Sequence, residues 1–164
     1  MPANLRRAQD EFSSAHEPGA PRLDSETWEE KRGSLTTALT VEDAVRTADL
    51  VVDFVPDELE SKLEIFSMVD RMAPPRTILL TPTDAQSIAD LASCTYRPER
   101  CFAVRCFAIR GGLAPGSPAH LVHPAGVDER TLAAVSAFLH SLGCEVLVAV
   151  DTAPPMLVKN QIKL

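Results

Sequence analysis

The chain has 164 residues, 45% apolar and 24% charged, which is the size and make-up of one globular domain and excludes collagen, mucin-like stalks and wholesale disorder. Its 16 Lys and Arg against 23 Asp and Glu leave a net charge of −7 with no basic block, which argues against a nucleic-acid partner. No apolar run approaches the ~20 residues of a membrane-spanning helix, and the first ten residues lack the apolar core of a secretory signal, so the expectation is a cytoplasmic protein without membrane contact.

Residues 1–34 are polar and charge-rich. A helix is expected over 3–13, then a break at Pro18, Gly19 and Pro21, then an acidic stretch in which Trp28 serves as an anchor. The segment reads as helical or partly disordered. From Leu35 the pattern turns regular, with a short strand expected over 35–39. Thr40 is placed to cap a helix over 41–47, with Asp43 completing a capping box. The run Asp-Leu-Val-Val-Asp-Phe-Val over 49–55 is nearly apolar throughout, as suits a parallel strand covered on both faces. Pro56 and Asp57 turn the chain into a helix over 58–72, with Leu59, Leu63, Phe66, Val69 and Met72 as its apolar stripe. Ala73, Pro74 and Pro75 end it.

A strand over 77–80 and a short helix over 88–92, opened by Ser87, come next. They are followed by a strand over 101–107, a glycine- and proline-rich loop over 109–118 and a strand over 119–122. Asp128 caps a helix over 129–142 that Gly143 closes, and 145–150 is the last strand. Alternating strand and helix predict an α/β fold with a mainly parallel sheet. Such sheets bind ligands beyond the carboxyl ends of their strands, which directs attention to the loops 55–60, 80–87 and 107–118.

Cysteines stand at 94, 101, 106 and 144, and no pair has the spacing of a zinc or redox motif. They read as small buried hydrophobes. His120 and His123 are three apart in a strand, which points them to opposite faces, so no metal site is expected.

Four stretches carry a resemblance: Ala48-Asp-Leu-Val-Val-Asp-Phe-Val-Pro-Asp57 through Lys62; Met72-Ala-Pro-Pro-Arg-Thr-Ile-Leu-Leu-Thr-Pro-Thr83; Arg97-Pro-Glu-Arg100; and Gly143 to Asp151-Thr152 and Val158. In order and spacing they resemble the 3-hydroxyacyl-CoA dehydrogenase family over roughly residues 35–158. The resemblance implies a partial Rossmann-like, doubly wound sheet, with 1–34 preceding it, 35–152 as an NAD-binding-type domain and 153–164 beginning a linker helix. It implies NAD as cofactor, acyl-CoA as partner, and oxidation of a 3-hydroxyacyl thioester to the 3-keto form. In the family a histidine takes the hydroxyl proton, a glutamate orients it, and a serine and an asparagine hold the substrate oxygen.

Carried over residue by residue, the resemblance makes Asp57, Lys62, Thr83 and Asp84 the cofactor-binding positions. Read without it, Asp57 and Lys62 are a helix N-terminal acid and a surface lysine. Pro82 and Asp84 stand where the family has asparagine and serine. The family's histidine falls on Arg105, which cannot accept a proton, and the asparagine after it falls on Ala108. The orienting glutamate falls near His120, and the linker asparagine on Lys159 or Asn160. The phosphate-cradling pattern G-x-G-x-x-G occurs nowhere in the chain, and the first strand that would precede it is expected to be missing.

The expectation is therefore a truncated, non-catalytic relative that lacks the family's C-terminal helical domain, with no catalytic residue assigned. One alternative is an active oxidoreductase completed by a partner chain, with Asp84 or His120 as base. Another is a scaffold or interaction module in which Arg105, Arg110 and Lys62 hold a phosphate or carboxylate. The missing first strand leaves the 49–55 strand open on one side, which predicts self-association or a partner chain at that edge.

Overall fold

The computed structural model describes Arg6, Arg7, Asp10, residues 34–105, Gly116 and residues 118–156. The chain divides into two compact units, Met1–Leu39 and Thr40–Leu164. In the first, Arg6, Arg7 and Asp10 are helical. The strand expected over 35–39 does not form: these residues are irregular and Leu39 is 94% exposed. Trp28 and residues 106–115 lie outside the described residues, and with them Cys106, Ala108, Arg110 and most of the expected 109–118 loop. Lys159 and Asn160 lie outside them too.

The second unit opens with helix α1 (Val41–Val45), two residues shorter than expected. The Thr40 hydroxyl accepts from the Asp43 backbone N–H and donates to the Asp43 carboxylate, a variant of the capping box. Strands β1 (Leu50–Val52), β2 (Ile78–Pro82) and β3 (Cys101–Arg105) follow, linked by helices α2 (Leu59–Met72) and α3 (Ile88–Ser93). Strand β4 (Pro118–His123), helix α4 (Glu129–Ser141) and strand β5 (Glu145–Val150) complete the sheet. Gly143 ends α4 with φ +80°, a left-handed turn that favours glycine.

The sheet order is β1-β2-β3-β4-β5. Pairings are parallel except between β3 and β4, so the sheet is mainly parallel, with two strands running against the other three. The period-2 alternation of the strands splits the core in two. Leu79, Cys101, Ala103 and Val122 meet Val45, Phe66, Val69, Ile88 and Leu91 from α1, α2 and α3. Leu80, Phe102, Val104 and Leu121 meet Val135 and Leu139 of α4 on the other face. Each fully buried Leu, Val or Phe contributes about 1.5–3 kcal/mol relative to exposure. Helices on both faces of a mainly parallel sheet make this an α/β, Rossmann-like fold.

The α2 stripe differs from the expected one. Leu59 and Met72 are each 39% exposed, whereas Lys62, Phe66, Val69 and Asp70 are buried. The buried face is rotated by about one residue, and it carries two charged side chains. Among the described residues, no helix is long and apolar enough to cross a membrane.

Candidate functional site

The carboxyl ends of β1, β2 and β3 bring together Asp53, Thr83 and Arg105. Asp53 lies one residue past β1, where its N–H still donates to Leu80 O at 3.1 Å. Thr83 lies one past β2, its N–H donating to Val104 O at 3.2 Å. Arg105 closes β3.

Lys62 is not a surface lysine: it is 1% exposed. It sits four residues before Phe66 and seven before Val69, on the helical stripe that faces the sheet. Its Nζ lies 2.7 Å from Asp53 Oδ1 and 3.0 Å from Pro82 O. Asp53 Oδ2 has no partner among the described residues, and Asp53 borders a small cavity lined by Val51, Phe66 and Leu80 among others. Asp53 was not among the sequence candidates. The signal that finds it is a carboxylate inside an apolar strand, with a lysine on the apolar stripe of the next helix.

Asp57 precedes the N-cap Glu58 of α2, but its carboxylate turns to the neighbouring loop. It accepts from the Thr83 hydroxyl and from the N–H groups of Asp84 at 3.0 Å and Ala85 at 3.3 Å. Thr83, fully buried, in turn accepts from the Gln86 N–H at 3.0 Å. Partial burial pushes the Asp57 carboxyl up, but the Thr83 hydroxyl, those two N–H groups and the Lys62 charge together hold it below its ordinary range. Asp84 itself is exposed. The structure thus links three of the four expected cofactor positions directly, Asp57 with Thr83 and Asp84, and sets Lys62 apart in its own ion pair.

Arg105 and His120 are register partners in the antiparallel β3–β4 pair, so both side chains rise from one face. His123, on the same strand, is on the opposite face, buried beside the Phe102 ring with centroids 6.3 Å apart. Arg97, from the Arg-Pro-Glu-Arg stretch, is buried at the far end of α2. There it bonds Asp70 Oδ1 at 3.0 Å and the carbonyls of Asp70, Ala73 and Pro74. It caps the C-terminus of that helix.

Fold and site together define an α/β, Rossmann-like domain whose polar residues gather where the parallel strands end. Residues 2–152 match the family described as 3-hydroxyacyl-CoA dehydrogenase, NAD binding domain, and the chain belongs to it. NAD is the cofactor of that family. The chain is 28% identical over 140 residues to a 3-hydroxybutyryl-CoA dehydrogenase of Bradyrhizobium diazoefficiens, covering 84% of this chain and 46% of the relative. It is 35% identical over 66 residues to a probable 3-hydroxybutyryl-CoA dehydrogenase of Bacillus subtilis, covering 40% of this chain and 23% of that protein. Among solved structures, the 3-hydroxyacyl-CoA dehydrogenase of Archaeoglobus fulgidus superposes with a TM-score of 0.58 at 27% identity, over 68% of this chain and 38% of that one. The matches span less than half the length of these relatives.

Proposed function

We propose that this chain is a non-catalytic member of the family, a pseudoenzyme on the NAD-binding-domain scaffold. The observation that carries this reading is Arg105. It ends β3 at the position where the resemblance puts the family's proton-accepting histidine, and a guanidinium stays protonated at any working pH. The cofactor side supports the same reading. Lys62 spends its ammonium on Asp53 and Pro82 O, and Asp57 takes its donors from the adjoining loop. Lys62 is thus already paired, and the chain contains no G-x-G-x-x-G loop to cradle a pyrophosphate. The residues present do not fit a dinucleotide held in the family's manner. We place the protein in the cytoplasm.

The test is NADH oxidation with acetoacetyl-CoA as acceptor, alongside calorimetric titration with NADH. Absence of both turnover and heat, from a folded sample, is the expected result; steady turnover overturns the reading. One observation favours the second reading, an oxidoreductase completed by a partner chain: His120 stands directly across from Arg105. In that case turnover appears and His120→Gln abolishes it. The partner would pair with β1, which has a strand neighbour on one side only among the described residues. Light scattering at high concentration tests this, and a monomer counts against it.

A further inference from the structure

Three buried polar atoms of one sheet face lack hydrogen-bond partners among the described residues: Asp53 Oδ2, Thr81 Oγ1 and Arg105 Nε. Thr81 is register partner to Ala103, two residues before Arg105 on β3, so the two side chains are diagonal neighbours on the same face. His120 extends this face across β4. Arg105 is half-buried and makes no ion pair among the described residues. Asp151 is within its electrostatic reach. The Asp151 carboxylate, however, accepts from the Ser87 hydroxyl at 2.8 Å and from the N–H groups of Ala89 at 3.1 Å and Ala153 at 3.2 Å. A guanidinium stripped of water at Nε and given no acceptor is unfavourable as it stands. An oxyanion relieves that cost, because a carboxylate or phosphate accepts two parallel N–H bonds from the guanidinium fork.

We propose that the sheet face formed by Thr81, Arg105 and His120 binds a small oxyanion, a carboxylate or a phosphate group. The inference rests on the reading that Arg105 is not a proton acceptor, and gives the position a different task. Arg105 is the anchor. Thr81, wholly buried beside the Asp53 carboxylate, marks the closed end of the site, and His120 bounds it on the far side. Thr83 is not a donor here, since its hydroxyl is given to Asp57.

The experiment titrates the full chain with inorganic phosphate and, separately, with acetate, at ionic strength held constant by chloride, and follows backbone amide shifts by NMR. Saturable shifts around Thr81, Arg105 and His120 are expected, and whichever anion saturates at lower concentration identifies the chemistry. Arg105→Gln is expected to weaken binding by about tenfold or more, and Arg105→Lys, which keeps the charge without the fork, by less. If Arg105→Gln fails to fold, the lysine variant decides. The proposal is overturned if neither oxyanion acts beyond chloride, or if the folded Arg105 variants bind as the parent does. NADH oxidation in the same samples overturns the non-catalytic reading whatever the titration shows. A failed titration without turnover removes only the oxyanion site.

Discussion

Lys62 Nζ and Asp53 Oδ1 form a 2.7 Å ion pair between α2 and the end of β1, with both side chains almost wholly removed from water. The pair pins the helix to the sheet at the point where a cofactor contact was expected. Removing one member of such a pair strands the other charge in an apolar setting.

Lys62→Ala should therefore cost about 3–5 kcal/mol of stability, whatever it does to any ligand. The double variant Asp53→Leu, Lys62→Met should recover most of that loss, since it leaves no buried charge. Urea unfolding midpoints of the three proteins decide. An unchanged midpoint for Lys62→Ala would mean that the ammonium is solvated.

Arg97 is the second buried cation, bonded to one carboxylate and to three carbonyls at the end of α2. A lysine carries the charge but not the planar fork that reaches all four. Arg97→Lys should lose stability nearly as severely as Arg97→Ala, by about 3–5 kcal/mol. Thermal unfolding should show both variants melting well below the parent. Full recovery by lysine would reduce the role of Arg97 to its charge.

The loop beyond β2 is tied to Asp57 in its ionised form. The folded carboxyl lies below its ordinary 3.8, so the ionised form is the one that folding favours. This contribution is complete above the ordinary value and is lost as pH falls through the lower, folded value. Asp151, whose burial works against its own lowered value, behaves in the same sense through Ala89 and Ser87. Asp57→Asn should be less stable than the parent at pH 7 and lose less stability between pH 5 and 2. Equal acid slopes for the two proteins would remove Asp57 from the account.

Cys101 lies fully buried at the start of β3. Burial pushes its thiol up to about 12, despite the hydrogen bond with Thr95. Thiolate is the reactive form, so Cys101 should resist alkylation at pH 8 in the folded protein, whereas the half-buried Cys94 should be modified first. Peptide mapping after a short iodoacetamide pulse reads this directly. Rapid labelling of Cys101 without denaturant would show that the first core opens readily.

The elements that carried strong local signals were legible. Thr40, Ser87 and Asp128 each cap the helix expected of them, because a short polar side chain before an apolar period has one good local partner, the orphan N–H groups of the first turn. The alternation of strands and helices was enough for the fold class, and the motif order was enough for the family. The failures were of another kind. Leu35 to Leu39 had the look of a strand, but a strand exists only where a neighbour accepts its hydrogen bonds. The α2 stripe was read from apolar residues alone, so Lys62 and Asp70 were placed outside it.

By itself, then, the sequence determined what depends on neighbours along the chain: helix ends, periodicities, the missing glycine loop and the arginine at the base position. Only the tertiary structure decided which charges meet. Lys62 finds Asp53 nine residues away, Asp57 finds Thr83 at 26, and Arg97 finds Asp70 at 27. It also decided that β4 runs against β3 and sets His120 opposite Arg105. The Lys62 and Asp57 pairings arise where the parallel strands align their carboxyl ends, and the Arg97 pairing at the opposite end of α2. A buried charge takes its partner from whatever that alignment brings within reach, and no local pattern encodes the distance.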